Sequence, residues 1–241
     1  MKELFRSGKL IVFAAVFLFF GLLSPVTAKY LPQIIASIGG MENIQIRIPE
    51  PTWLDAVAQY VKNLTQLCTF IVIVIFMGVV VREKESGTAV FLLVKPVPRG
   101  SFLAAKFISA ILALFISLFI AFVAAAFYTI LFFDGFSLAA FARLNLMMFL
   151  YLGCIICMTV MFSTIMRSML LAGIFSFLGW MLLALISQFG SFGKFSPSFL
   201  ISQSNTLMTG GNVSWQPVAG AFVFIVFTVA LSWSLFRKWE T

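Results

Sequence analysis

Histidine is absent from this chain of 241 residues, and only eight residues are acidic. The commonest general base and metal ligand is therefore missing. The acids all lie outside the long apolar runs, so acid–base, metal-centred or haem-ligating chemistry within those runs has almost nothing to work with. Cysteine is scarce as well. Cys68, Cys154 and Cys157 all sit inside apolar runs. Cys154-x-x-Cys157 has redox spacing, but no helix cap or nearby charge is there to stabilise a thiolate. These cysteines read as small packing residues. Nor is there a G-x-x-x-x-G-K-[ST] phosphate loop; Gly190-Ser191-Phe192-Gly193-Lys194 has the wrong spacing. No catalytic, cofactor-binding or metal site is expected, and the chain does not read as an enzyme.

Charge is the third scarcity. Charged residues make up 10% of the chain, where soluble domains carry about a quarter. What fills the space is apolar: 62% of residues are hydrophobic and mean hydropathy is +1.10. Apolar runs of about twenty residues recur, the length that crosses a bilayer as helix. The expected fold class is an all-α polytopic membrane protein with six transmembrane helices, near residues 8–28, 65–82, 103–133, 144–166, 169–189 and 217–236. Residues 1–241 make one such bundle, with no room for a soluble catalytic domain.

The first run follows Lys2, Arg6 and Lys9 and ends near Pro25-Val26-Thr27-Ala28, which resembles a signal-peptide cleavage region. Its length also suits a retained first span, and retention is the reading adopted. Residues 29–51 are punctuated by Pro32, Gly39-Gly40 and Pro49-Glu50-Pro51 as loop. From Thr52 the pattern turns helical. Leu54, Val57, Ala58, Val61 and Leu64 share a face, and Thr52-x-x-Asp55 forms a capping-box pattern. An amphipathic surface helix, either a lid or an interfacial anchor, is expected to run directly into the second span. The third span is expected to start just after Ser101 as N-cap, and its length of about 46 Å exceeds the roughly 30 Å hydrocarbon core. Asp134-Gly135 reads as a turn, and Arg167-Ser168 as a very tight one. Between the last two spans, Ser196-Pro197 and Gly210-Gly211 bracket an apolar stretch expected to form a short helix in the outer leaflet.

The charges set a topology. With the N-terminus inside, the inner segments carry Lys2, Arg6, Lys9, Arg82, Lys84, Lys95, Arg99, Lys106, Arg167, Arg237 and Lys238. The outer ones carry Lys29, Arg47, Lys62, Arg143 and Lys194. This positive-inside bias puts both termini in the cytoplasm of a multi-pass plasma-membrane protein. The net charge of +8 is thus explained by the membrane, with no nucleic acid required.

One stretch stands apart, Arg82 to Lys106. Charged residues Arg82 to Glu85 close one apolar run, and Lys95-Pro96-Val97-Pro98-Arg99-Gly100 precedes the next. Ser86 is a candidate N-cap, and Pro96 disfavours helix at Lys95. A short helix near 86–95 is expected, too short to span a bilayer. Glu85-x-Gly87-Thr88, the apolar patch, Pro96-x-x-Arg99 and Lys106 resemble the first cytoplasmic loop of ABC type-2 transporter permeases. The resemblance implies that 86–95 is a coupling helix docking on ABC ATPase subunits through Glu83, Glu85, Gly87, Thr88, Lys95, Pro96 and Arg99. It also implies an exporter in which two permease subunits, as a homo- or heterodimer, form the pathway. ATP would then be bound by the partner subunits, with no cofactor in this chain.

Two other classes compete. A non-transporting membrane assembly or scaffold protein would show no stoichiometric ATPase partner. An ion-coupled secondary transporter usually needs ionisable groups within the membrane. Apart from Lys106, the six expected spans contain none away from their boundaries. The topology is tested by introduced cysteines. Those at Gln45 and Ser204 are expected to react in intact cells with an impermeant thiol reagent and one at Lys95 is not; labelling at Lys95 would overturn the arrangement.

Overall fold

The computed structural model of the protein describes residues 8–38, 50–85, 99–208, 211 and 213–237. Among the described residues the secondary structure is helical throughout, and six helices are long and apolar enough to cross a membrane. The helices are α1 (Lys9–Ile38), α2 (Trp53–Asn63), α3 (Thr69–Phe76), α4 (Val81–Glu85), α5 (Arg99–Phe132), α6 (Leu138–Ile165), α7 (Met169–Ile186), α8 (Gly190–Gly193), α9 (Phe199–Met208) and α10 (Gln216–Arg237). A π-helical turn, Leu64–Cys68, joins α2 to α3. The second membrane segment therefore runs from Trp53 to Glu85. The expected coupling helix at 86–95 lies outside the described residues.

Helix α6 is the axis of the bundle. Every residue from 151 to 161 is buried, and α3, α5, α7, α9 and α10 all pack on it. By contrast α7 buries only Ala172, Ser176 and Leu183. Two methionines seat α7 against its neighbours by lying where a side chain would otherwise be. Met77 covers Gly173, and Met169 covers Gly78. Methionine is flexible enough to follow such a notch if the helices shift.

The most extensive helix–helix contact joins α1 to α5. Its cause is small residues: Gly21 faces Ala121, with Ala125 and Ala126 buried farther along α5. A Cβ at Gly21 would stand 2.8 Å from the Ala121 carbonyl oxygen and 3.0 Å from its Cα. Backbones approach this closely in membranes because no hydrophobic drive separates helix from lipid, so packing decides. Helix α5 runs for 34 residues, or about 51 Å. It begins at Arg99, so Ser101, the expected cap, lies inside it. The caps at Ser137 and Ser168 are present, accepting from the backbone N–H groups of Ala140 and Leu171 at 3.4 and 3.3 Å. The Asp134-Gly135 turn puts Gly135 at φ +77°, a conformation side chains rarely adopt.

Helix α2 corrects the sequence reading. Asp55 does accept from the Thr52 N–H and hydroxyl, both at 2.8 Å. Val57, Val61 and Leu64 face inward as expected, but Leu54 and Ala58 are exposed, while Tyr60 and Asn63 are buried. Two hydrogen bonds explain the rotation. The Tyr60 hydroxyl donates to Asn145 of α6 at 2.6 Å, and the Asn63 amide donates to Ser24 of α1 at 2.9 Å. Apolar periodicity could not foresee that two polar residues would find partners inside the bundle. The π turn then adds a residue to the helix and re-aims α3 relative to α2.

Ser204 is a second correction. Its side chain is buried on α9, donating to the Ile201 carbonyl at 2.5 Å, whereas Ser202 is exposed. The outer labelling cysteine therefore belongs at Ser202. The α1–α5 crossing yields its own test. Gly21→Val forces two backbones apart and should destabilise the bundle by about 1–3 kcal/mol. A Cβ at Gly153 meets only Ile111 Cδ1 at 3.8 Å, so Gly153→Ala should melt like the parent. Thermal unfolding in detergent distinguishes them; equal melting temperatures would contradict the close crossing.

Candidate functional site

The end of the bundle bearing Arg82, Lys84, Lys106 and Arg167, here the basic end, is built around a break in the second membrane segment. Between α3 and α4 the regular hydrogen-bond ladder is interrupted at residues 77–80. The N–H groups of Val80 and Val81 turn instead to the Ser163 hydroxyl of α6, at 3.1 and 3.2 Å. A buried N–H must find an acceptor, and here one side chain from another helix supplies it twice. Ser163 thus pins the break to the central helix.

Beyond the break, α4 carries four consecutive charged residues, Arg82 to Glu85, and the first three engage neighbouring helices. At 3.6 residues per turn, successive side chains point about 100° apart. Each of the three accordingly reaches a different span. Arg82 Nε lies 3.2 Å from Met169 Sδ of α7. Glu83 forms an ion pair with Lys106 of α5. Lys84 Nζ donates to the Thr164 carbonyl of α6. That carbonyl is among the last four of α6, which lack an intrahelical partner and carry the negative end of the helix dipole. One helical turn therefore ties α4 to three neighbours.

The Glu83–Lys106 pair is largely shielded, its side chains 15% and 12% exposed. Lys106 also lies over the Phe102 ring, 5.5 Å from its centroid. Phe102 stacks on Phe236 of α10 with centroids 5.9 Å apart. One residue pair further out, Gly100 is covered by the Trp233 ring, with no space for a Cβ. Charge, cation and rings thus form a continuous path from α4 through α5 to α10.

The residues singled out from sequence are distributed as follows. Glu83 is engaged with Lys106 inside the chain. Glu85 is exposed at the end of α4. Arg99 opens α5. Gly87, Thr88, Lys95 and Pro96 lie outside the described residues. Sequence reasoning did not single out Ser163, Thr164 or Met169 as part of this site. Ser163 and Thr164 stood only among scattered span hydroxyls, and no spacing rule ties a serine to a helix break more than eighty residues away.

Breaking one member of a shielded pair leaves the other charge uncompensated, a loss of about 3–5 kcal/mol where burial is complete. Lys106→Met is therefore expected to lower the melting temperature sharply. Adding Glu83→Leu should restore much of it, because two apolar side chains strand no charge. Independent, additive losses in the double variant would show that the two residues do not interact.

Relatives agree with this architecture. The profile of the family described as "ABC-2 family transporter protein" matches residues 1–198. The "Uncharacterized transmembrane protein YxlG" of Bacillus subtilis (strain 168) is 24% identical over 248 residues, covering 99% of this chain and 95% of that protein. A match over most of the chain, joined to six membrane-crossing helices, places the protein among membrane components of transporters: the chain belongs to the ABC-2 family of transporter proteins.

Proposed function

We propose that the chain is the membrane-spanning permease subunit of an ATP-driven exporter, one transmembrane unit that pairs with a second permease copy and is moved by separate ATPase subunits. The observation that carries this reading is the fan of Arg82, Glu83 and Lys84 onto α7, α5 and α6. A loop that merely connected two spans would need no such frame at its root. A loop that receives force from a partner does, because the force must enter several spans together. Here the stretch at 86–98 is bounded on one side by α4, pinned to three helices, and on the other by α5, locked through Phe102 and Gly100 to α10. Its basic end faces the cytoplasm by the positive-inside bias.

In this mechanism the ATPase docks on the coupling helix at 86–95, through Glu85, Gly87, Thr88, Lys95, Pro96 and Arg99. Glu83 serves a different role from docking: it transmits, holding α4 to α5 so that the two stems move together. ATP binding and hydrolysis stay in the partner. The second segment then turns about the break at 77–80, where Ser163 holds the backbone and Met77 and Met169 slide in their glycine notches.

Charge reversal at Glu85 and a bulky ring at Gly87 test the docking role. Glu85→Lys and Gly87→Trp are expected to reduce copurified ATPase, by about 2–5 kcal/mol where an interface charge pair is truncated, while the permease still inserts and melts normally. Exposed loop substitutions without a docking role change little, within about 0.5 kcal/mol. Normal complex formation and turnover in both variants would refute the docking role.

A further inference from the structure

Helices α5 and α10 both lean on α6 yet diverge from each other away from the basic end. Between them lies a groove of about 940 Å³, floored by α6. Its walls are apolar, and among its described lining residues one alone carries a charge, Arg143. Arg143 sits five residues into α6, inside an otherwise uncharged membrane segment. Arg143 is exposed, and so near a helix end its long stem can carry the charge to the membrane interface. Its Nε donates to the Ala139 carbonyl at 3.4 Å, and no described carboxylate pairs with it.

The groove has the dimensions of one leaflet. Along α6 it runs from Arg143 to Cys157, about 21 Å, and along α10 from Val218 to Val229, about 16 Å. Half of a hydrocarbon core is about 15 Å. Its other end is lined by Phe107 of α5, Cys157 of α6 and Val229 of α10. The open end carries Trp215, 80% exposed, the residue type that settles at the headgroup level. A second apolar crevice of about 260 Å³ lies between α5 and α6, sharing Leu146 and Phe149 with the first. Two apolar channels thus meet at one ridge, about a helical turn below a single guanidinium.

We propose that this groove binds an anionic diacyl phospholipid, with its phosphate on Arg143 and its two chains on either side of the Leu146–Phe149 ridge. The guanidinium fork suits a phosphate oxygen pair, and its long stem lets the charge rise to the headgroup while the chains stay below. The site is separate from the ATPase-docking end and does not depend on the transport reading. A neutral apolar molecule could fill the groove but would leave Arg143 unanswered.

The test is native mass spectrometry of the purified chain titrated with dioleoyl phosphatidylglycerol or dioleoyl phosphatidylcholine. The parent should hold one phosphatidylglycerol about fivefold more tightly than phosphatidylcholine, the effect of one basic residue at an anionic surface. Arg143→Gln should abolish that preference, and Arg143→Lys should keep part of it. Gly153→Phe, which projects a ring into the groove beside Ile111, should reduce binding of both lipids. Equal affinity of the parent for the two lipids would overturn the proposal, as would a preference retained by Arg143→Gln. So would unchanged binding in Gly153→Phe, or a parent dimer that excludes lipid and that Gly153→Phe dissociates. Melting temperature, measured alongside, identifies any variant that has lost its fold, in which case Ile111→Phe is used to fill the groove from the α5 wall.

Discussion

A single shielded ion pair, Glu83–Lys106, carries much of the organisation at one end of this bundle. In a chain where only one residue in ten is charged, a carboxylate held against a lysine inside the helix framework is expensive unless both partners are fixed. The surrounding structure fixes them. Ser163 holds the backbone break that turns α4 toward α5, Lys84 closes on the end of α6, and Phe102 supports the lysine from one turn away. Removing the break would point Glu83 elsewhere; removing the pair would take away the ion-paired tie of α4 to α5. The neighbouring charges therefore act as one joint rather than as three separate bridges.

From this joint the rest of the bundle divides by how firmly each helix is held. Helix α6 is enclosed from residue 151 to 161, and α1 is clamped to α5 where Gly21 meets Ala121. At the Gly21 crossing there is no room for a side chain, since a Cβ there would stand about 3 Å from the Ala121 backbone. Helix α7 is different. It exposes most of its surface and rests on Met77, Met169 and Met158, each lying over a glycine. One of its polar ties is the Trp180 indole donating to the Tyr151 hydroxyl at 2.8 Å. A rigid core of α1, α5 and α6 bearing a loosely seated α7 is the mechanical arrangement that the proposed permease role needs. In that role, force entering at the joint would reach the core directly and α7 through its methionine contacts.

The apolar framework was legible in the sequence because its signals are local. Runs of about twenty apolar residues, the Thr52–Asp55 capping box and Gly135 in its turn all depend on neighbours along the chain. What was not legible depends on partners far away in sequence. Tyr60 and Asn63 look like the solvent side of an amphipathic helix until Asn145 and Ser24 are placed opposite them. Ser204 reads as reachable from the outer side, yet its side chain is buried on α9. Glu83 reads as one charge of an exposed cluster, and only the fold brings Lys106, twenty-three residues on, to its side. Ser163, which makes the break in the second segment possible, is indistinguishable in sequence from hydroxyls such as Ser176 that bond only to their own helix. Arg143 was counted with the outer charges, and its position above two apolar crevices emerged only from packing.

The central claim is that the joint at the basic end moves as one body when the partner ATPase acts. Spin labels at Ser101, on the first turn of α5, and at Arg167, in the exposed turn after α6, flank the joint. Pulsed electron–electron distance measurement between them in the reconstituted complex, with and without ATP, tests the claim directly. The account predicts an unchanged distance distribution within one chain, while the distance between Ser101 labels on two permease copies shifts with nucleotide. A nucleotide-dependent change between Ser101 and Arg167 within a chain would contradict it, because the stems of the loop would then be moving independently.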